Sequence, residues 1–150
     1  MRLSVSGVHD LPNLHDTGAV ISIQDPSDGR PEDLYGLTVP ILDLVFHDSD
    51  GQRGDLKPQA WHLVKVQRFL AELDGDTALH VHCFAGVSRS TAVACFVLAI
   101  LEPGLTDTQI VRRVLDVRPM AMPNRLLLKH ADALLGRHLQ RTWTAQAGRY

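Results

Sequence analysis

Apolar positions along the chain follow two alternating rhythms, short β-branched runs and longer stretches with helical spacing, which is the pattern of an α/β layered fold. Leu3 to Ser6 reads as a short first strand. Ala19-Val20-Ile21-Ser22-Ile23 reads as a second, closed by the turn-forming pair Asp25-Pro26. Residues 27–32, with Gly29 and Pro31, read as a loop. A third strand is predicted over 37–46, and Pro40 near its start predicts a bulge or an edge position, because proline donates nothing to a ladder. Residues 47–57 contain Gly51, Gly54, Asp48, Asp50 and Asp55 and read as an exposed loop.

Pro58 is placed as the first residue of a helix in which Leu63, Val66, Leu70 and Leu73 form one apolar stripe, ended by Asp74-Gly75-Asp76. Trp61 and Leu63 are expected in the core or at its edge. In the strand predicted over 78–82, Leu79 and Val81 share one face and His80 and His82 the other. The stretch 89–101 is apolar on every side, as in a central, buried helix, and Pro103-Gly104 breaks it. Thr106-Asp107-Thr108-Gln109 has the form of a capping box ahead of Ile110, Val111, Val114 and Leu115. A last helix is predicted from near Pro123, using Leu127, Ala131, Leu134 and Leu135, and the polar tail past Gln140 reads as loose. The expectation is one three-layer α/β domain over residues 1–150. Its central sheet is mostly parallel, of about four to five strands flanked by helices, with 1–8 and 141–150 as loose ends.

Composition changes little in this picture and removes several function classes. The chain has 150 residues, 45% of them hydrophobic and 21% charged, which is enough to bury a core. A formal net charge of -2 provides no overall positive field for nucleic acid or an anionic membrane. Two cysteines are too few for a disulfide framework and fit a reducing compartment. No signal-peptide core precedes His9 and Asp10, and the most apolar run, 92–101, is well short of the ~20 residues needed to span a bilayer. A cytoplasmic, monomeric protein is expected.

The chemistry concentrates in one unit: a strand, then His82-Cys83-Phe84-Ala85-Gly86-Val87-Ser88-Arg89-Ser90, then the apolar helix. A loop at a helix N-terminus presents unpaired N–H groups and the positive end of the helix dipole to an anion. Gly86 lets the backbone turn inward, and Arg89 adds a planar fork matched to two phosphate oxygens. Phe84, Ala85, Gly86, Val87, Ser88 and Arg89 together would form an oxyanion cradle. The same field favours a thiolate at Cys83. Thiols in such settings fall from a pKa of ~8.5 into the range ~3.5–7.5. Cys95, among Ala94, Phe96 and Val97, reads as structural.

His82-Cys83-x5-Arg89-Ser90 resembles the signature of the protein tyrosine phosphatase superfamily, and Ala85-Gly86-Val87-Ser88-Arg89-Ser90-Thr91 is similar to its dual-specificity branch. Arg118-Pro119 and Pro123-Asn124 resemble that branch's segment after the active-site helix. Phe46-His47-Asp48 and Asp132-Ala133-Leu134-Leu135 are similar to its small bacterial members. The resemblance implies attack by Cys83 on a phosphoryl group, a phosphocysteine intermediate, and an aspartate serving as acid and then as base. It further implies that Arg89 holds the phosphoryl oxygens, that Ser90 stabilises the leaving thiolate, that Asn124 braces the loop and that His82 orients the cysteine. The implied ligands are a phosphorylated protein or small phosphate monoester, with inorganic phosphate or a similar oxyanion in the site. No metal or organic cofactor is implied.

The acid has two candidates. Asp48 directly follows the third strand, where the family places its acid, whereas Asp50 has the family's more usual spacing to Cys83; Asp55 is a third carboxylate in the same loop. His80, His82 and Cys83 are close in sequence, but a metal on Cys83 would compete with phosphate, and no other ligand pair has a recognisable spacing. His47 reads as an ordinary loop residue. The neutral loop residues Phe84, Ala85 and Val87 favour phosphoprotein or aryl phosphates over phosphoinositides. A rhodanese-like or arsenate-reductase-like enzyme, or a non-catalytic phosphate-binding module, would use a related loop. Against the first stands the placement of Cys95, poor for a resolving thiol; against the second, the retention of both Cys83 and Arg89. Iodoacetate is expected to label Cys83 rapidly at mildly acidic pH, with Cys83→Ser abolishing that fast phase. Labelling no faster than a free thiol would remove the basis for an activated nucleophile.

Overall fold

A computed structural model describes residues 2–147. Among them the elements run β1 (Arg2–Ser6), β2 (Ala19–Gln24), β3 (Ile41–Val45), α1 (Ala60–Ala71), β4 (Ala78–His82), α2 (Arg89–Leu101), α3 (Asp107–Val117), α4 (Arg125–Leu135) and α5 (Leu139–Ala147). Short 3-10 turns occupy Leu14–Asp16 and Glu32–Leu34. The four strands form one parallel sheet in the order β1-β4-β2-β3. β4 is therefore interior, and Cys83 follows its carboxyl end. In open parallel sheets that end is where ligands bind.

Strand alternation sorts the two faces. Val5, Leu79, Val81, Ile21, Ile23 and Leu44 enter one continuous core with all five helices. The other face carries Ser4, Ser6, Ser22, Gln24, His80 and His82, and the 3-10 turns cover part of it by packing Leu14 and Leu34 on Val20. The layers are thus unequal, with the α-helices on the apolar face. α2 is buried from Arg89 to Ala99, lies against β1 and β4, and is surrounded by α1, α3 and α4. This is the central position that its all-round apolarity predicts. No described helix is long and apolar enough to cross a membrane.

Several boundaries move. The third strand shortens to Ile41–Val45; Pro40 lies just outside it, accepting from the Val20 amide at 3.0 Å, and β3 is an edge strand. Pro58 is not the first helical residue. α1 begins at Ala60, after Gln59, whose amide donates to His62 Nδ1 at 2.9 Å. Leu63 is buried, but Trp61 is exposed on the outer side of the helix, stacked on His62.

The loose ends expected at 1–8 and 141–150 are corrected within the described residues. Arg2–Ser6 pairs in register with Ala78–His82. After α4, Gly136 adopts φ +65° and turns the chain. The Asp132 carboxylate then accepts from the amides of Leu139 and Gln140 at 2.6 and 3.2 Å, capping α5. Leu139 and Trp143, one helical turn apart, are fully buried, and Trp143 Nε1 donates to Cys95 Sγ at 3.3 Å. Two apolar residues in a polar frame make a narrow stripe that periodicity does not reveal. Trp143→Ala is expected to lower stability by about 3–5 kcal/mol, the range for truncating a buried aromatic. Urea unfolding followed by circular dichroism measures this. A loss under ~0.5 kcal/mol, typical of a surface substitution, would mean that α5 is not docked.

Candidate active site

The carboxyl ends of all four parallel strands meet around Cys83. The Cys83 amide donates to Ser6 O at the end of β1 at 3.3 Å, and Val8 beyond it donates to Phe84 O at 2.9 Å. Arg89 Nη1 reaches Asp25, just past β2, at 2.9 Å and Phe46 O, just past β3, at 2.8 Å. One guanidinium thus ties two strand ends to the start of α2.

The loop between Cys83 and Arg89 is held from outside by its carbonyls. Beyond the Phe84 contact, Arg118 donates from Nη2 to Ala85 O at 3.1 Å and from Nε to Gly86 O at 2.9 Å. Met122 N donates to Val87 O at 2.9 Å and Asn124 N to Ser88 O at 3.0 Å. Arg118 is itself held by Asp10 at 2.6 Å, and Asp10 also accepts from the Gly7 amide at 2.8 Å. The Arg118 guanidinium keeps the Asp10 carboxyl below the usual carboxylate range. Close packing fixes two glycines. Gly86 has φ +72°, and a Cβ there would lie 2.4 Å from Gly7 N; a Cβ on Gly7 would lie 2.6 Å from Phe84 O. Neither position has room for a side chain.

Inside this bracket sits the thiol. Cys83 is buried, its Sγ 3.1 Å from Ser90 Oγ and 3.2 Å from the Gly86 amide that donates to it. Ser88 occupies the N-cap of α2 without capping it. Its hydroxyl instead donates to Asp48 Oδ1 at 2.7 Å, whereas Thr106 and Asn124 cap α3 and α4 in the ordinary way. Arg89 is 4% exposed, and its Nε is a buried donor with no partner. An unpaired buried donor on a charged group costs at least ~1–3 kcal/mol. Asp25, Asp48, Cys83, Phe84, Ala85, Val87, Ser88 and Arg89 line a cleft of about 470 Å³.

The structure separates the carboxylates of the loop after β3. Asp48 is on the Cys83 cleft, and Asn124 Nδ2 joins Ser88 on its Oδ1 at 2.9 Å. Asp50 does not line that cleft but a neighbouring hollow, which Asp48, Ser88 and Asn124 also line. Asp55 lies further along, beside Leu56 and Trp61. His47 closes this loop on itself: its Nδ1 accepts from the Leu56 amide at 2.9 Å, and its own amide donates to Leu56 O at 2.8 Å. Asn124 Nδ2 also reaches Ser49 O at 2.9 Å, so Asn124 ties the Asp48 segment to the Cys83 loop. Cys95 is wholly buried, and burial pushes its thiol up to about 12.

Beneath Cys83 the polar sheet face is fully engaged. His80 bonds Ser4 Oγ and Ser6 Oγ at 2.7 and 2.8 Å, and His82 bonds Ser22 Oγ at 2.6 Å and Cys83 O at 3.2 Å. Burial lowers both imidazoles, His80 to about 4. No group of three or more His, Cys, Asp or Glu among the described residues is placed to hold a metal ion. Reading along the chain misses the pairing of Asp25 with Arg89 and that of Asp10 with Arg118. The available signal for Asp25 is positional, since it follows a parallel strand just as Cys83 does.

No model of a known protein family matches the chain, and no curated protein matches it by sequence. Solved structures do match. Tk-PTP in its active form superposes with a TM-score of 0.67 at 19% identity, covering 92% of this chain and 94% of that one. Human DUSP28 gives 0.66 at 19% identity, with 96% and 94% covered. PTPMT1 in complex with PI(5)P gives 0.66 at 18% identity, with 97% and 94% covered. The chain therefore has the α/β fold of these tyrosine and dual-specificity phosphatase structures.

Proposed function

We propose that this chain is a cysteine-dependent phosphatase that hydrolyses phosphate monoesters, phosphotyrosine and phosphoserine or phosphothreonine of proteins, through a phosphocysteine intermediate. The observation that carries the reading is that Arg89, which lines the cleft with a buried, amide-bonded thiol, keeps its Nε without a partner. A tetrahedral oxyanion over Cys83 would supply the missing acceptor. The uncapped start of α2 and the outward-bonded loop carbonyls support the same ligand, because they leave amides to meet its oxygens.

In this mechanism the Cys83 thiolate attacks phosphorus, and the ester oxygen leaves with a proton from Asp48. Ser88 and Asn124 both donate to Oδ1 of Asp48, which leaves Oδ2 to carry the proton. Water then attacks the phosphocysteine, giving its proton to Asp48. The thiolate leaves toward Ser90, whose hydroxyl is in hydrogen-bond range. Arg89 and the loop amides hold the non-bridging oxygens as charge shifts among them. The seated Cys95, bonded to Trp143, gives no support to a second-thiol chemistry. Substrate preference follows from charge. Asp25 and Asp48 line the cleft and no lysine does, which disfavours polyanionic inositol headgroups relative to singly phosphorylated side chains.

Turnover of an aryl phosphate, phosphotyrosine and phosphothreonine peptides and an inositol phospholipid, with Cys83→Ser as control, tests the reading. No Cys83-dependent hydrolysis of any of them would refute it. Asp48→Asn is expected to cost about 10²- to 10⁴-fold in rate, the range for a lost general acid, while Asp50→Asn stays near the parent. Equal, near-parental rates in both variants would exclude Asp48 as the acid.

A further inference from the structure

A directional hydrogen-bond chain runs under the sheet from the surface to the backbone of Cys83. Arg30 and Asp43 form a two-point ion pair at the edge strand β3. Asp43 Oδ1 accepts from Gln24 Nε2 at 2.7 Å, and the same amide nitrogen donates to Ser22 Oγ at 3.0 Å. Ser22 Oγ is 2.6 Å from His82 Nε2, and His82 Nδ1 is 3.2 Å from Cys83 O. Gln24, Ser22 and His82 are all buried.

The direction follows from what each group can do. An ionised carboxylate only accepts, so Asp43 must face the –NH2 end of Gln24. Arg30 keeps the Asp43 carboxyl below the usual carboxylate range, and Gln24 adds to that effect. Gln24 then spends its second proton on Ser22, which turns the Ser22 hydroxyl proton to His82 Nε2. A neutral imidazole that accepts at Nε2 carries its proton on Nδ1, where Cys83 O can receive it. Burial holds His82 neutral, so its tautomer matters. In a trans peptide the C=O and N–H point opposite ways, and no cis bond is present among the described residues. Fixing Cys83 O therefore fixes the Phe84 amide, the first donor of the loop.

We propose that Gln24 and Asp43 are positioning residues that lock His82 in its Nδ1–H tautomer and thereby set the first peptide of the Cys83 loop. The proposal rests on the reading of that loop as the phosphate site. Asp43→Asn offers Gln24 a donor as well as an acceptor, so Gln24 can turn its oxygen to Ser22 and the whole chain can reverse. A reversed His82 would aim a lone pair at Cys83 O. Gln24→Met removes the link at constant length, and Asp43→Glu keeps the acceptor.

Imidazole 15N NMR of His82 on the full chain reads the tautomer directly, alongside inorganic phosphate binding and kcat and KM for an aryl phosphate. The parent is expected to be Nδ1–H. Asp43→Asn and Gln24→Met are expected to shift it toward Nε2–H and weaken phosphate binding about tenfold, the worth of one good hydrogen bond, with unfolding midpoints close to the parent. Asp43→Glu is expected to restore both. An Nε2–H parent, or the parental tautomer in both variants, overturns the proposal, as does an altered tautomer with unchanged phosphate affinity. A parent that binds phosphate in the Nδ1–H form but turns nothing over would instead count against the phosphatase reading alone.

Discussion

A peptide plane carries its C=O and N–H in opposite directions, so a loop whose carbonyls are bonded outward has its amides turned inward. From Phe84 to Ser88 every carbonyl has an outside donor, drawn from Val8, Arg118, Met122 and Asn124. The helix start after the loop is uncapped because Ser88 is committed to Asp48. Concave amides, an uncapped helix and a buried thiol are therefore one arrangement. Remove the outer bracket and the inner cradle has nothing to keep its shape.

The parallel sheet makes that bracket possible. Placing β4 between β1 and β2 brings three other strand ends within reach of the Cys83 loop. Arg89 uses this proximity, holding Asp25 and Phe46 O with one nitrogen while its Nε stays unpaired. The surrounding elements hold the guanidinium in place rather than leaving it to find a ligand from solution, which lowers the entropy cost of binding. The polar face of the sheet plays a matching part from below, where hydroxyl–imidazole bonds replace apolar packing beside the strand that carries the cysteine.

Much of this was legible in the residues. Alternation in Leu79–His82 assigns the two faces, the all-apolar run after Arg89 marks the central helix, and Cys83-x5-Arg89 marks the loop. Asp48 against Asp50 was not decidable along the chain, since spacing and position relative to the strand end pointed different ways. Of the two, Asp48 lines the Cys83 cleft, and its bonds to Ser88 and Asn124 join residues distant in sequence. The Asp25–Arg89 and Asp10–Arg118 pairs and the partners of His82 were invisible for a similar reason, because each joins elements whose spatial order no local pattern encodes. Helix α5 was lost to a different cause, two buried residues being too few to register as a face.

The contacts that shape the Cys83 loop join parts of the chain that lie far apart. Asp10 meets Arg118 across 108 positions, and Asn124 meets Asp48 across 76. Closing loops of that length costs chain entropy that local contacts do not offset. The surroundings of the thiol are complete only once residues past α3 are in place. Until residues well past α3 have docked, Cys83 is an ordinary cysteine on an unfinished sheet. The fast acidic-pH labelling expected of that sulfur would thus depend on global assembly, and a misassembled molecule would label only at the rate of a free thiol even where most secondary structure has formed.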